Sequence, residues 1–476
     1  MSNLSDLLPA GAGAKSADFV ASGTLGSGVT VVLNSNGTVS VVGVSTQSVS
    51  SPTTFESATT YFSSATFDST TNKVVIAYRD AGNSNYGTAI VGTVSGTSIS
   101  FGTAVVFNTG AGNNYSTTFD SVAGKIVIAY TDEGNSGFGT AKVGTVSGTS
   151  ISFGTAVVFN SGSTSFISAT FDSTENQVVI AYRDAGNSSY GTAIVGTVSG
   201  TSISFGAEVV FNSTNTLFIS ATFDSASSKV VIAYSDINVF YGRVIVATVS
   251  STAISFGSEV TFAASNTQIQ QAVYDSVNQK VIICYSDGSD GDKGKAIIGT
   301  VSGTTISFGS TITFSSVGIS NLSVAYSPSS SSVIAAYRGS GAYGTVISGV
   351  ASASTITFGA SLTFTTNSTS YTASVYDANA SKVVVAYSDN DDGTFGKAVV
   401  YSPESSNNTS FIGITDQAIA DGASGKVVVQ GGVSEKVTSL TANTDYYVQS
   451  DGSISATVST VPAGKALSAT SILLKG

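Results

Sequence analysis

The chain lacks several residue types on which common chemistries depend. Its 476 residues include no histidine, no tryptophan and one cysteine, Cys284. The absence of histidine excludes Ser-His-Asp and Cys-His mechanisms together with His-ligated metal sites. A single cysteine excludes an intrachain disulfide. Cys284 stands where other copies of the same phrase carry alanine, so we predict a small buried core residue.

Charge is also scarce. Charged residues make up 10% of the chain, and 18 Lys and Arg face 29 Asp and Glu, for a net charge of −11. A protein that binds nucleic acid needs a Lys/Arg face to neutralise phosphates, so nucleic acid and anionic membranes are poor candidates as partners. The N-terminus has neither the basic region nor the apolar stretch of a signal peptide. The sequence therefore predicts a chain assembled in a cytoplasm or carried on a particle assembled there.

What the chain does have is a long internal repeat. A Val-Val-Ile-Ala-Tyr phrase recurs, and its tyrosines are spaced by 52, 52, 52, 51, 52 and 50 residues. These tyrosines are Tyr78, Tyr130, Tyr182, Tyr234, Tyr285, Tyr337 and Tyr387. A period near 50 over most of a chain indicates a repeat architecture.

Each repeat contains four short strand patterns separated by Gly, Asn, Ser and Asp turns. In the third copy they cover 166–171, 177–182, 192–198 and 203–211. Such an antiparallel meander has two apolar faces and two edges, and packing several of them around an axis buries the faces. The sequence therefore predicts an all-β fold, a seven-bladed β-propeller with four-stranded blades.

The two ends of the repeat indicate how the ring closes. A Ser-Phe-Gly or Thr-Phe-Gly motif occurs six times at the fourth strand of a repeat (Phe101, Phe153, Phe205, Phe256, Phe308 and Phe358), although the tyrosine phrase occurs seven times. The last blade lacks its fourth strand, and the segment 49–55 has the spacing to supply it. We therefore expect closure by strand exchange, with the residues near 44 and 405 as neighbours.

The segments outside the ring predict a second domain. Residues 1–44 and 406–476 leave the predicted propeller (45–405) side by side, and together they have the size of one domain. An Asn-Gly turn within 26–42 predicts a hairpin. We expect a small discontinuous β-domain, used for anchoring or oligomer contacts, into which the propeller is inserted.

The loops that follow the repeated tyrosines carry most of the charge. In a propeller these loops share a face with the blade-to-blade connections, and that face commonly holds ligands. An Asp at the start of such a turn also bonds its own backbone, so both a structural and a binding interpretation stand. In blade four, the loop residues Asp236, Phe240, Tyr241 and Arg243 are candidates for sugar binding through aromatic stacking, with loop packing as the alternative.

Two of these loops are acidic enough to suggest calcium. Clustered carboxylates with glycine supply the hard oxygen ligands that Ca²⁺ prefers, although neither loop has EF-hand spacing. An acidic solvated turn is the alternative. The candidate ligands are Asp287, Asp290 and Asp292 in blade five and Asp389, Asp391 and Asp392 in blade seven.

Enzymatic activity is not expected. The segment 94–102 lies where sialidase-like propellers carry an Asp-box turn, but this likeness is partial because both Asp and Trp are missing. Sialidase chemistry also needs a cluster of arginines. The four arginines of this chain, Arg79, Arg183, Arg243 and Arg338, lie in four different blades.

The two ends resemble structural proteins of tailed phages of marine bacteria. At the N-terminus, residues 5–23 (SDLLPAGAGAKSADFVASG) carry the resemblance. At the C-terminus it continues through 411–414 (FIGI), 418–422 (AIADG), Gly431-Gly432, 446–449 (YYVQ), 465–470 (KALSAT) and 473–476 (LLKG).

This resemblance implies a virion component such as a tail fibre, an adhesin or a decoration protein. We expect a tail fibre or receptor-binding protein, in which the propeller is displayed for attachment to a host-surface receptor or glycan. The implied partners are other virion proteins and further copies of the chain in a homo-oligomer, and no cofactor is expected. Two alternatives remain open: a head decoration protein and a cellular lectin-like adhesin.

Overall fold

The computed structural model describes residues 15–34, 36–352 and 354–475. Within these ranges the ordered elements are β-strands and six three-residue 3-10 turns, and there is no α-helix. The strands before and within the repeats are β1 Ser16–Val20, β2 Thr30–Leu33, β3 Val39–Val41, β4 Val44–Ser45, β5 Ser48–Val49, β6 Thr53–Asp68, β7 Lys73–Asp80, β8 Tyr86–Ser95, β9 Ser98–Phe101, β10 Val105–Asp120, β11 Lys125–Asp132, β12 Phe138–Ser147, β13 Ser150–Phe153, β14 Val157–Asp172, β15 Gln177–Asp184, β16 Tyr190–Ser199, β17 Ser202–Phe205, β18 Val209–Asp224, β19 Lys229–Asp236, β20 Tyr241–Ser250, β21 Ala253–Phe256, β22 Val260–Ala263, β23 Thr267–Asp275, β24 Lys280–Asp287, β25 Lys293–Ser302, β26 Thr305–Phe308, β27 Ile312–Gly318, β28 Ser320–Ser327, β29 Ser332–Arg338, β30 Tyr343–Ala351, β31 Ile356–Phe358, β32 Leu362–Asp377, β33 Lys382–Asp389 and β34 Phe395–Ser402.

The remaining strands follow the repeats. They are β35 Ser405–Ser406, β36 Phe411–Thr415, β37 Ser424–Val429, β38 Val433–Ser434, β39 Asp445–Val448, β40 Ile454–Ser455, β41 Pro462–Ala466 and β42 Ile472–Leu474. The chain divides into two compact units, at 47/48 and at 403/404. The sequence-based boundaries were 44/45 and 405/406.

The larger unit is a β-propeller. Each strand that carries a repeated tyrosine (β7, β11, β15, β19, β24, β29 and β33, in blades one to seven) lies second in an antiparallel sheet of four strand positions. The innermost strand of each sheet lies beside those of its two neighbours, and the last lies beside the first. The prediction of an all-β propeller is confirmed, because the strands form a closed ring.

Long strands connect most of the blades. In β6, β10, β14, β18 and β32, the first half forms the outer edge of one blade and the second half forms the innermost strand of the next. The connection is split in two between blades four and five and between blades five and six. Every such connection therefore ties two neighbouring sheets together.

The N-terminal side of the chain closes the ring, as expected. β34 pairs with β5 through Tyr401 and Val49, and with the start of β6 through Ala398 and Thr53. Strand exchange therefore supplies the outer edge of blade seven. In the smaller unit, β4 pairs with β35, which confirms that residues near 44 and 405 are neighbours.

The repeated tyrosines are core residues. Six of them have relative exposures of 2% or less, and Tyr337 has 4%. Each packs on a phenylalanine of the preceding blade, as Tyr182 does on Phe159 with ring centroids 5.2 Å apart. Aromatic pairs at this separation stabilise beyond their buried area. The regular spacing of these tyrosines therefore reflects a contact that recurs between successive blades.

The smaller unit contains two five-stranded sheets. Their strand orders are β1-β37-β36-β2-β3 and β38-β42-β41-β39-β40. β2 and β3 form the predicted hairpin, with Val31 opposite Val41. Val31, Val39 and Ile414 lie in its buried core. Most of the N-terminal motif that resembles phage proteins, residues 5–14, lies outside the described residues.

Cys284 is fully buried in β24, as predicted. Burial raises the pKa of its thiol to about 12, so very little of the reactive thiolate exists near neutral pH. We expect no alkylation by iodoacetamide at pH 8 in the folded protein and complete alkylation in urea, as measured by intact mass. Rapid labelling of the folded protein would show that blade five opens locally.

Candidate functional site

The aspartates that follow the repeated tyrosines hold the turns in place. The carboxylate of Asp80 accepts a hydrogen bond from the Asn83 N–H at 3.1 Å, and that of Asp184 accepts one from the Asn187 N–H at 3.2 Å. Both aspartates are buried. Their carboxylates therefore serve the fold, which favours the structural interpretation of these loops.

The four residues predicted as a sugar site in blade four do not act together. Asp236 is buried and accepts hydrogen bonds from the Thr214 hydroxyl at 2.9 Å and the Asn238 N–H at 3.0 Å. Arg243 lies over the Tyr241 ring at 5.6 Å and forms an ion pair with Glu259 at 3.1 Å. Only Phe240, which is 54% exposed, has a side chain that is open to a ligand.

Lysine ammonium groups pair with four of the six candidate calcium ligands. In blade five, Lys295 lies 2.7 Å from Asp287 and 3.0 Å from Asp290. In blade seven, Lys397 bonds both Asp389 and Asp392.

The other two candidate ligands give no support to a calcium site. Asp391 accepts a hydrogen bond from the Ser368 N–H at 2.8 Å, and Asp292 has a left-handed backbone, with φ 57°. In the part of the chain that the structure describes, no group of three or more His, Cys, Asp or Glu residues is placed to hold a metal ion. Four of the six candidate carboxylates pair with lysines of the same blades, which favours the acidic-turn alternative, and the calcium hypothesis stays a prediction.

The most regular surface feature of the propeller lies on its axis. One residue from each innermost strand lines a cavity of about 250 Å³, and each of these residues has a positive φ between 43° and 54°. They are Phe62, Asn114, Phe166, Phe218, Ile269, Asn321 and Tyr371. We call this set the axial ring.

A β-bulge produces the axial ring. In every innermost strand the pairing with the next strand shifts at this point, for example between Ser165 and Ser168. A bulge leaves one residue unpaired and redirects its side chain. A left-handed backbone costs a non-glycine residue roughly 1–2 kcal/mol, and such strain persists only where the surrounding structure imposes it. The ring is therefore held by the seven sheets around it.

Aromatic and amide groups dominate the axial ring. Phe62 packs on Tyr371 with centroids 4.9 Å apart, and Phe166 packs on Phe218 at 5.4 Å. The side-chain oxygen of Asn321 accepts a hydrogen bond from the Tyr371 N–H at 3.1 Å. None of the residues that line the cavity is charged. This lining suits a ligand that is itself uncharged.

Two buried polar groups beside the ring lack a protein partner. The Tyr115 hydroxyl and the Gln270 side-chain nitrogen have no hydrogen-bond partner among the described residues, although their residues are only 7% and 1% exposed. Both residues line the axial cavity. A buried polar group without a partner is costly, and because both atoms are closed to solvent, they are not contacts for a ligand on the axis in this structure.

A second cavity of about 200 Å³ shares Tyr115, Ile167 and Leu322 with the first. Its lining is rich in serine, and these serines connect neighbouring blades. The Ser116 hydroxyl accepts a hydrogen bond from the Ala169 N–H at 2.8 Å, and the Ser168 hydroxyl accepts one from the Ala221 N–H at 2.9 Å. These hydrogen bonds fix the spacing of the innermost strands below the axial ring.

The axial ring was not predicted from the sequence. Residues 166–171 were predicted to form one regular strand, whereas the bulge interrupts its pairing near Phe166. A signal was present, because every ring residue lies 16 positions before a repeated tyrosine. The residue type at that position varies among Phe, Asn, Ile and Tyr, and its two neighbours vary as well, so the fixed spacing is the signal.

The comparisons with known proteins add little to this geometry. No family model and no curated protein matches the chain. Among solved structures, the chain is similar to the β-propeller domain of Cps50 (Swd1) from Myceliophteria thermophila, with 9% identity, a TM-score of 0.49, and coverage of 74% of this chain and 99% of that chain.

Two further solved structures are similar at the same level. One is a leech intramolecular trans-sialidase (10% identity, TM-score 0.44, 73% of this chain and 68% of that chain). The other is a chain of a mitotic checkpoint complex (10% identity, TM-score 0.48, 75% and 95%). At these identities and scores we take nothing about function from them.

Proposed function

We propose that this chain is a non-enzymatic attachment protein whose propeller binds an uncharged ligand, such as the end of a glycan, at the axial ring. The observation that carries the proposal is the ring itself. Seven equivalent strands present aromatic, amide and aliphatic side chains, with left-handed backbones, around one cavity. A sugar has apolar C–H faces that pack on aromatic rings and hydroxyls that bond amides and phenols.

The titratable groups of the propeller support a binding role. Four loop carboxylates are bonded to turn N–H groups or to lysines, namely those of Asp80, Asp184, Asp287 and Asp389. Burial raises the pKa of the Tyr182 and Tyr234 phenols, so these tyrosines stay neutral and are poor nucleophiles. General acid–base catalysis needs a positioned group that changes its protonation near the working pH. The lining of the axial cavity supplies none.

The biological setting of this binding is proposed from the ends of the chain. Several C-terminal segments that resemble phage structural proteins form strands of the smaller unit, including β36, β39 and β42. We infer a virion surface protein of tail-fibre or receptor-binding type, with other virion proteins and copies of itself as partners. A head decoration role is the alternative, and immunogold labelling of particles distinguishes head from tail.

No helix in the described ranges is both long and apolar enough to cross a membrane.

The axial ring can be tested by single substitutions with a matched aromatic control. We expect Phe166→Ala to weaken glycan binding about tenfold, which corresponds to about 1.4 kcal/mol, because one aromatic contact is lost. Phe240→Ala removes an exposed aromatic side chain from a blade-four loop and should leave binding unchanged. Binding is measured first on a glycan array and then by titration calorimetry with the best ligand.

A second variant guards against a loss of folding. Asn114→Asp keeps the oxygen that faces the Phe166 N–H and adds a negative charge to an uncharged ring. It gives up one hydrogen bond, from the Asn114 amide to the Thr131 hydroxyl at 3.2 Å, at a cost of about 1 kcal/mol. It should weaken binding at least as much as Phe166→Ala while the melting temperature stays near that of the wild type. Binding that responds to Phe240→Ala and not to the ring variants would overturn the assignment. Failure of the wild type to bind any glycan would overturn the proposal as a whole.

A further inference from the structure

One gap between blades of the propeller is open. Between blades five and six lies a cavity of about 550 Å³, lined by aromatic, hydroxyl and glycine residues and by no charged side chain. Ser315, Tyr337, Tyr343, Thr345 and Ser361 are among its lining residues. Pockets that bind small molecules generally span 300–1,000 Å³. This cavity is separate from the axial cavity, with which it shares no lining residue.

The cavity exists because blade six departs from the repeat in its second-to-third loop. The second residue after the repeated tyrosine is aspartate in the six other blades, whereas it is Gly339 in blade six. The loop of blade six is also two residues shorter than that of blade three. In blade three the third strand begins at Tyr190, eight residues after Tyr182. In blade six it begins at Tyr343, six residues after Tyr337. Blade six therefore lacks both the carboxylate and part of the loop.

Three further positions are small and uncharged in this gap. The position of Thr345 is Arg243 in blade four, and the position of Ser361 is Glu259 in blade four and Glu208 in blade three. The position of Ser315 is asparagine in three earlier repeats, as at Asn160. Relative to blade four, the first two differences remove side-chain atoms from the same gap, although blades one to three also carry threonine at the position of Thr345.

In the other blades the equivalent groups bond each other. In blade four, Arg243 pairs with Glu259 at 3.1 Å, and Glu259 also accepts a hydrogen bond from the Tyr234 hydroxyl. In blade two, the Asn108 amide donates to Asp132 at 3.1 Å. In blade seven, Lys397 lies 2.9 Å from Asp389. These pairs fill the gap, and blade six has no counterpart of them.

The groups that remain around the cavity define the ligand that it can take. Tyr343 is 42% exposed and offers an aromatic surface. The hydroxyls of Thr345 and Ser361 can both donate and accept hydrogen bonds, and the Ser315 hydroxyl, which donates to the Val317 carbonyl at 2.9 Å, can still accept one. A charged ligand would lose its hydration without finding an opposite charge. A ligand of one ring with several hydroxyls satisfies these groups.

We propose that the cavity between blades five and six is a second binding site, for a single uncharged sugar residue. It adds to the axial ring a contact on the flank of the propeller, so one protein could hold two residues of a branched or repeating surface glycan.

The test introduces into blade six an ion pair equivalent to the one that Arg243 and Glu259 form in blade four. The double variant Thr345→Arg/Ser361→Glu copies Arg243 and Glu259 at their equivalent positions, where the fold already tolerates them. The matched control is Thr192→Arg, which gives blade three an arginine opposite its own Glu208 and leaves the cavity untouched. Thermal melting should show that both variants fold as the wild type does.

Binding is followed by saturation-transfer NMR with glucose, galactose, mannose and N-acetylglucosamine, each at millimolar concentration. All variants are compared in a Phe166→Ala background, so that failure of the axial ring and failure of the cavity are distinguished. We expect at least one sugar to bind the background protein and the Thr192→Arg control, and to bind at least tenfold more weakly to the double variant. Equal binding of that sugar by the double variant and the Thr192→Arg control, or no binding by any of the four sugars in the Phe166→Ala background, would overturn the proposal.

Discussion

Phe55→Ala is expected to lower the free energy of unfolding by about 3–5 kcal/mol, the usual cost of truncating a buried phenylalanine. Phe55 is 8% exposed and packs on Tyr78 at 5.2 Å and on Phe101 at 5.6 Å. It lies on the strand that closes the ring, so its loss should also loosen the pairing of β6 with β34. Urea unfolding measures the first effect, and hydrogen exchange in 395–402 measures the second.

Phe159→Ala is the matched control, because Phe159 has the equivalent contacts with Tyr182 and Phe205. β14 follows β12 and β13 of the same blade directly along the chain, whereas β6 pairs with a β34 that is distant in sequence. The control should therefore cost similar free energy without faster exchange in 395–402. A cost below about 1 kcal/mol for Phe55→Ala, or unchanged exchange at β34, would show that the ring does not depend on this strand.

The second large effect is expected at a glycine between blades. A Cβ added to Gly154 would lie 1.8 Å from the Thr201 carbonyl oxygen, in the hairpin of the next blade. Backbone atoms cannot move aside as a flexible side chain can. We therefore expect Gly154→Ala to destabilise the propeller by about 1–3 kcal/mol or more, as overpacking of a dense interior does, measured by urea unfolding.

Gly359 provides the control for this prediction at the same repeat position. Its added Cβ would meet nothing closer than the Ser348 carbonyl oxygen at 3.8 Å. The next blade is blade seven, which takes its outer strand from the N-terminal side of the chain. It therefore has no hairpin between its third and fourth strands. Gly359→Ala should therefore change the free energy of unfolding by less than about 0.5 kcal/mol. Equal effects of the two substitutions would contradict this account of the Phe-Gly motif.

The departures from the repeat carry the proposed chemistry. The axial ring varies among Phe, Asn, Ile and Tyr at one fixed position, and the open gap follows from small residues in blade six. A repeated residue such as Tyr182 serves the contact between blades, and it must stay the same because each contact is the same. The residue at the axial-ring position makes no such recurring contact, so its type can differ from blade to blade and suit a ligand.

Sequence alone determined the all-β architecture and the strand that closes the ring. Spacing carries this information, because each blade must bury the same faces against the next. The same reasoning placed candidate sites on charged loops, and the structure instead pairs Asp287 and Asp389 with lysines on the adjacent strands.

Only the tertiary structure decided where open polar and aromatic surface remains. The bulges that form the axial ring depend on how seven strands meet at one axis, and no local pattern encodes that meeting. The cavity between blades five and six likewise depends on residues from two blades, such as Ser315 and Thr345. Local spacing sets each blade, whereas the space between blades is set by packing across the ring.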